Sequence, residues 1–418
     1  MMIKDQQIVC IGFPKWEGEY LKSTVQLMQE LSRYNDVIYI DYNHTFLDVL
    51  RHLIRKKKIP LARIIGWKKR LQLISTNGKF GLYLLRLPCL FPINWINQNK
   101  VHDKISGING LFSKVIIKRA LKKIGFNRPI MINAFNPNLG LSLAGKFEEK
   151  LLVYYCYDEI SAAPWIKKHG HRLEQKFLKI ADLVITSSDT LQKDKSKYNA
   201  NCWTVNNGVD FHLFGSKEVA VIPEKKSTYY EKTIGYLGSI DHRLDYSLLE
   251  SVISRLPHYR FVFVGRQLDR LGVQVLANLS NVELVGPKPA HELPSYIETF
   301  DVGLIPFVKN KLTAAIYPLK INEYLARGKA VVSTDFTNLS AFEDVIRVAS
   351  NSSIFKKMLE EAATEFEPAL ANKRIEIAKQ NSWKNRANEM GTILSQAMLT
   401  KKRNIASKKR INQGPAII

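Results

Sequence analysis

The chain has 418 residues, 45% of them hydrophobic, which is enough for two ordinary domains each with its own core. Its net charge of +24 is concentrated: residues 51 to 128 hold 19 Lys/Arg against the single acid Asp103, residues 401 to 410 hold six more bases, and the remainder is neutral. Four scattered cysteines, Cys10, Cys89, Cys156 and Cys202, form no metal spacing and read as reduced thiols of a cytosolic protein, and no stretch approaches the roughly 20 uninterrupted apolar residues of a spanning helix.

Met1 to Phe13 has too short an apolar core for a signal peptide and reads as a first strand, Gln7 to Pro14. A loop from Lys15 to Tyr20 leads to an amphipathic helix over Leu21 to Tyr34, with Val25, Leu27, Met28 and Leu31 apolar, and then to a strand over Val37 to Asp41. This is a Rossmann-like opening, although Gly12 and Gly18 make only a weak fingerprint and Gly18 also suits an ordinary turn.

Residues 44 to 125 break the alternation. Basic clusters at 55–58 and 68–70 flank Ile54, Ile59, Leu61, Ile64, Ile65 and Trp67. Phe80 to Trp95 is apolar and aromatic but interrupted by Arg86, Pro88 and Pro92, and Lys114 to Lys123 adds a basic helix with Val115, Ile116, Ile117 and Leu121 on its apolar side. A basic, tryptophan-bearing, non-spanning stretch suits an anionic membrane surface, with Trp67 and residues 80 to 95 reaching the interface. A solvated face over an ordinary core has the same composition. Nucleic acid is disfavoured, since no reader motif accompanies the charge.

Alternation resumes with buried strands at Pro129 to Asn133, Leu151 to Tyr157 and Asp182 to Ser188, the second ending in Asp158-Glu159, and a helix follows at Asp189 to Tyr198. Tyr154, Tyr155 and Tyr157 alternate as core residues do, and the scattered histidines, including His169 and His171, lack ligand spacing, so no metal is expected. Residues 215 to 232 fit a linker. Thr233 to Ile240 is a strand running into Gly238, where backbone can approach a ligand, with Arg243 close by to favour phosphate. Arg260 to Gly265 and Val282 to Gly286 read as further buried strands, followed by Arg266 and Pro287, and Leu293 to Glu298 as a helix.

Asp301 to Thr334 then reads as strand, loop, helix, strand. Asp301 to Phe307 is a short apolar run stopped by Pro306, Lys309 to Ile316 a loop of small and polar residues, and Ala330 to Thr334 a buried strand. Between them Pro318 suits the first turn of a helix and Gly328 its stop. With Leu319, Tyr324 and Leu325 facing the sheet, Lys320 and Glu323 stand one turn apart, above the C-terminal strand ends where open α/β sheets bind nucleotides.

Asp301-Val-Gly-Leu-Ile-Pro-Phe307, followed by Pro318-Leu-Lys-Ile-Asn-Glu-Tyr-Leu-Ala-Arg-Gly-Lys-Ala-Val-Val332, resembles the donor-binding segment of GT-B glycosyltransferases of the family 4 type. More narrowly it is similar to enzymes of bacterial envelope polysaccharide assembly, including the teichuronic acid type. The resemblance implies an α/β GT-B fold, two Rossmann-like domains with a cleft between them and a C-terminal helix crossing back. It implies that Glu323 holds the ribose hydroxyls of a nucleotide sugar. Many retaining members carry a second glutamate eight positions earlier, where this chain has Ala315. Asn207 to Phe214 is similar to the family's segment before the interdomain crossing, and Asn381 to Ala387 to its terminal helix.

The expected organisation is an acceptor-side domain over 1–206 with a basic membrane-facing stretch at 51–123, a crossing and linker at 207–232, a nucleotide-sugar domain over 233–380, a returning helix at 381–400 and a basic tail at 401–418. Gly238, Arg243, Arg266, Pro318, Leu319, Lys320 and Glu323 are the expected donor-binding residues: cations for the pyrophosphate, a carboxylate for the ribose. Asp158 and Glu159 are candidates for the base that takes the acceptor proton, and either also suits a helix cap. The resulting expectation is a cytoplasmic glycosyltransferase, peripheral on the inner face of the membrane, acting on a membrane-linked glycan or lipid without a metal. The alternatives are a nucleotide-binding scaffold without turnover and a transferase with a soluble acceptor.

Overall fold

The computed structural model describes residues 3–18, 21–55, 59–162, 166, 168–216 and 229–412. The chain divides into two compact units, one formed by residues 1–18, 22–206 and 386–418, the other chiefly by 207–385. The basic residues 56–58, most of the expected linker (217–228) and the end of the tail (413–418) lie outside the described residues.

Among the described residues of unit 1, eight strands form one sheet: β1 Gln7–Ile11, β2 Asp36–Ile40, β3 Leu71–Asn77, β4 Phe80–Leu85, β5 Ile130–Ala134, β6 Leu151–Cys156, β7 Leu183–Thr186 and β8 Cys202–Thr204, in the order β3-β4-β2-β1-β5-β6-β7-β8. All neighbours are parallel except β3 and β4, an antiparallel edge hairpin whose turn has Gly78 at φ +57°. The helices are α1 Ser23–Leu31, α2 Phe46–Arg55, α3 Leu61–Ile64, α4 Asn99–Lys123, α5 Pro137–Leu143, α6 Gly170–Ile180 and α7 Asp189–Lys195. Strands covered on both faces are apolar at most positions, which is why β5, β6 and β7 are uninterrupted buried runs rather than alternating ones, with Asn133 and Thr186 the polar exceptions.

Unit 2 starts with the short helix α8, Phe211–Phe214, and is built on β9 Lys232–Leu237, β10 Tyr259–Val264, β11 Val282–Gly286, β12 Val302–Ile305, β13 Ala330–Thr334 and β14 Arg347–Ala349. These form an all-parallel sheet in the order β11-β10-β9-β12-β13-β14. Its helices are α9 Tyr246–Ile253, α10 Arg270–Ala277, α11 Leu293–Glu298, α12 Lys311–Ala314, α13 Leu319–Leu325, α14 Ser352–Thr364 and α15 Pro368–Gln380. The last helix, α16 Trp383–Asn412, starts in unit 2 and is counted with unit 1 from Arg386 onward.

Each sheet begins at its centre, works outward to one side, returns to the centre and works outward to the other side. That is the doubly wound order, and it leaves one switch point per unit, between β1 and β5 and between β9 and β12.

Three expectations are corrected. Phe80 to Leu85 is not an interfacial segment: it is β4, paired with β2, and Leu82, Leu84, Leu85 and Leu87 are core residues, because a non-polar strand gains more from sheet pairing and burial than from exposure. Val115 lies on the exposed side of α4, whereas Ile117 and Leu121 are buried. The loop at 309–316 contains α12, started by a capping box between Asn310 and Thr313. A smaller difference is β11, which is half-buried because it is a sheet edge.

Candidate functional site

The switch point of unit 2 is held open by one side chain. β9 and β12 pair only through Val302 with Ile234 and Gly303 with Gly235. Beyond that the strands part, and the phenol of Tyr324 takes over their backbone bonding. It accepts the Leu237 N–H at 2.8 Å and lies 3.5 Å from the carbonyls of Gly235 and Leu304. A Cβ at Gly303 would stand 2.6 Å from the Tyr324 ring, so β12 needs glycine where the ring crosses it.

Tyr324 thereby fixes α13, whose Ile321, Asn322, Tyr324 and Leu325 are buried. Asn322 is locked further: its amide oxygen accepts from Asn381 at 2.8 Å and its nitrogen donates to the Tyr317 hydroxyl at 3.2 Å. Pro318 precedes the helix at the N-cap, and Gly328 follows it at φ +69°. Leu319 is only half-buried, so Ile321 and Asn322 take the inner positions expected of it.

Lys320 and Glu323 stand one turn apart, with Nζ 3.1 and 2.8 Å from the two carboxylate oxygens. The Glu323 side chain is 9% exposed and that of Lys320 28%, so the carboxylate is sheltered and the ammonium forms its cover.

The loop after β9 supplies the opposite wall. Gly238 has φ +149°, and a Cβ at Gly265, itself at φ +156°, would stand 1.8 Å from the Gly238 carbonyl oxygen, so the ends of β9 and β10 meet backbone to backbone. The loop then crosses the switch point: Asp245 N–H donates to Pro306 at 2.9 Å and Val308 N–H to Arg243 at 2.8 Å. Arg243 is held in a fork by Asp241, with Nε to Oδ1 2.9 Å and Nη2 to Oδ2 2.7 Å, and its guanidinium lies 5.6 Å from the Phe307 ring centre. Burial alone would raise the Asp241 carboxyl, but its bonds to Arg243 outweigh this and hold it below the usual carboxylate range. Arg266 is exposed at the end of β10, its carbonyl accepting the Ile240 N–H at 2.8 Å. Ala315 is buried after α12.

Of the seven residues expected to bind the donor, Gly238, Arg243 and Arg266 follow β9 and β10, and Pro318, Leu319, Lys320 and Glu323 lie at or on α13. Sequence reasoning missed Asp241, whose signal was the Asp-His-Arg spacing, and Tyr324 and Asn322, which looked like ordinary helix positions.

In unit 1, Asp158 and Glu159 follow β6 but differ in environment. Glu159 is buried: it accepts from the Ser161 amide at 3.0 Å and hydroxyl at 2.6 Å, and its other oxygen is 3.6 Å from Lys195 Nζ. Lys195 also reaches Glu174 at 2.9 Å and Asp194 at 3.1 Å. Burial alone would lower the Lys195 pKa, but Cys156 and the surrounding carboxylates outweigh it and keep the ammonium charged. Asp158 is half-buried, and one of its oxygens accepts the Glu159 N–H at 2.8 Å. Neither Lys195 nor Glu174 stood out in the sequence as the centre of a buried cluster.

The switch point of unit 1 carries a cavity of about 590 Å³, lined by residues just beyond β1 (Phe13), β2 (Tyr42, Asn43) and β5 (Asn136, Asn138), by α2, by residues 90–95 and by α4. Among the described residues no group of three or more His, Cys, Asp or Glu could hold a metal, and no helix is long and apolar enough to cross a membrane.

Residues 231–369, within unit 2, match the family model of Glycosyl transferases group 1. A Bacillus subtilis protein named TuaH, a name given for a teichuronic acid biosynthesis glycosyltransferase, is 31% identical over 178 residues, 41% of this chain and 44% of that protein. The chain therefore spans less than half the length of that curated relative in the match. Among solved structures, sucrose-phosphate synthase from Thermosynechococcus elongatus superposes with a TM-score of 0.68 at 15% identity, covering 94% of this chain and 100% of the other. Anabaena HepE, solved with UDP and glucose, gives 0.59 at 13% identity, covering 94% and 100%. The two Rossmann-like units are those of the GT-B fold.

Proposed function

We propose that this protein, whose unit 2 is a Glycosyl transferases group 1 domain, transfers a sugar from a nucleotide-sugar donor to a membrane-linked glycan or lipid intermediate of cell-envelope polysaccharide assembly. The observation that carries this is the sheltered Glu323 carboxylate paired with Lys320 on a helix locked at the switch point, inside the segment that matches the family. Open parallel sheets bind nucleotides at that place.

On donor binding the ion pair opens. Glu323 then accepts from the two ribose hydroxyls, and Lys320 turns to the diphosphate, where Arg243 is the second cation and Arg266 and the backbone at Gly238 complete the anion site. These groups stabilise charge that grows on the diphosphate as its bond to the anomeric carbon breaks. The acceptor hydroxyl forms the new bond to that carbon, and its proton passes to Asp158. Glu159, which bonds Ser161 and lies 3.6 Å from Lys195, is the alternative base.

The similarity to TuaH and the basic composition of residues 51–128 support an envelope acceptor presented at an anionic membrane surface, on the inner face of the cytoplasmic membrane. One observation favours a second reading, a nucleotide-binding scaffold without turnover: buried Ala315 stands where many relatives of the resembling type carry a carboxylate.

Thermal stabilisation of the purified protein by a panel of nucleotide sugars, followed by release of nucleoside diphosphate in the presence of membrane lipid extracts, tests both readings. Stabilisation without release supports the scaffold. No stabilisation by any member of the panel overturns the nucleotide site.

A further inference from the structure

We propose that unit 1 docks on an anionic lipid leaflet through outward-facing apolar sides of α2 and α4. Surface helices of globular proteins turn the apolar side to the core and the polar side to water. These two are built the other way round. In α2, Phe46, Leu47, Leu50, Leu53 and Ile54 are exposed, Ile54 at 70%, whereas Asp48, Val49 and His52 are half-buried. In α4, residues 99–115, the buried side is His102, Ser106, Asn109, Gly110 and Ser113, and the exposed side is Val101, Ile108, Leu111, Phe112 and Val115, whereas the last turns bury Ile117, Ala120 and Leu121 in the ordinary way.

The inversion is fixed by bonding. Asp48 accepts from the amide and hydroxyl of Thr45 at 2.8 and 2.9 Å, Ser106 donates to Asn138 at 2.6 Å, and Asn109 accepts from and donates to the backbone of Phe91 at 2.8 and 3.0 Å. Turning α4 over would unpair Ser106 and Asn109; the Thr45–Asp48 bonds are a local cap, and α2 is tied to the fold where its Phe46 N–H donates to the Leu90 carbonyl at 3.2 Å. The two helices are also neighbours: Phe46 lies 5.5 Å, centroid to centroid, from the same Phe91 that Asn109 clasps, and both helices line the 590 Å³ cavity with residues 90–95. Trp95 in that turn and Trp67 before β3 are exposed, the latter at 85%. Clustered exposure of this extent marks an interaction surface, unlike single exposed apolar residues.

Charge selects the partner. Arg51, Lys100 and Lys104 stand exposed among the apolar residues of the two helices, with Lys68 and Lys69 beside Trp67, and residues 46–128 hold 19 bases and two acids, Asp48 and Asp103. A second copy would oppose this face with like charge, whereas an anionic leaflet takes the cations at its headgroups and the apolar side chains at its acyl boundary. This deepens the reading of a membrane-linked acceptor, since the cavity bounded by the docking elements would open at headgroup level, but the surface can be tested without turnover.

The test uses the full chain and vesicles of phosphatidylcholine with or without phosphatidylglycerol, with no sugar donor or acceptor. Binding, read by co-sedimentation and by a blue shift of tryptophan emission, should require phosphatidylglycerol and weaken with salt. Leu50→Ser with Leu53→Ser, and separately Leu111→Ser with Phe112→Ser, should each reduce partitioning about tenfold or more while leaving the thermal unfolding temperature unchanged. Absence of vesicle binding by the unaltered protein, or unaltered binding by both double variants, overturns the proposal. So does a stable dimer in light scattering that the same substitutions dissociate. Loss of sugar transfer with vesicle binding intact counts against the proposed function alone.

Discussion

Tyr324→Phe removes one oxygen from the fully buried point on which the donor site turns. The ring keeps its place over Gly303, so no cavity larger than the hydroxyl opens, but the Leu237 N–H loses its acceptor at 2.8 Å, and on the β12 side the strand pairing stops at Gly235. The contacts to Gly235 and Leu304 at 3.5 Å are too long to add much. An unsatisfied buried amide costs about 1–3 kcal/mol, and for a unit of this size each kcal/mol lowers the unfolding temperature by roughly 2–4 °C. Hydrogen exchange gives the local readout: the Leu237 amide should exchange faster, together with amides of α13. Nucleoside-diphosphate affinity should fall as well, because Glu323 and Lys320 are placed by the same helix. Unchanged Leu237 exchange together with unchanged unfolding would refute the argument that the phenol substitutes for strand pairing.

Glu323→Ala should weaken nucleoside-diphosphate binding by about 1.5–3 kcal/mol, and Lys320→Ala should weaken it too, both measured by titration calorimetry with UDP and GDP; unchanged affinity in both moves the site elsewhere. Asp158→Asn should abolish transfer while donor affinity is kept, whereas Glu159→Gln should lower stability by about 1–3 kcal/mol through its bonds to Ser161 and its proximity to Lys195, so full activity in the Asp158 variant would reverse the assignment. The Asp241 carboxyl titrates below its ordinary value in the fold, so the stability it adds is complete above the unfolded value near 3.9 and is lost as pH falls through the lower folded value. Unfolding followed from pH 7 downward should therefore show Asp241→Asn less stable than the parent at neutral pH, with the gap closing only below about pH 4; a gap independent of pH would mean that the Arg243 fork contributes nothing.

Buried parallel strands and their glycine stops were legible in the sequence, because a strand covered on both faces is apolar at most positions and a backbone-to-backbone approach has to be glycine. That is why 301–334, with Pro318, Gly328, Lys320 and Glu323, could be placed as strand, loop, helix and strand before any coordinates. Periodicity also shows that a helix has an apolar side. It does not show which way that side points, since the repeat is the same whether the helix faces a core or a lipid surface. The structure decided this through partners that the chain brings from elsewhere: for α4 Asn138 from α5 and the backbone of Phe91, and for α2 the Leu90 carbonyl that takes the Phe46 N–H. It decided in the same way that Phe80 to Leu85 joins β2 instead of a membrane, and that Glu159 meets Lys195. Each of these depends on contacts between residues distant in sequence, and a one-dimensional pattern carries no record of what a side chain will meet.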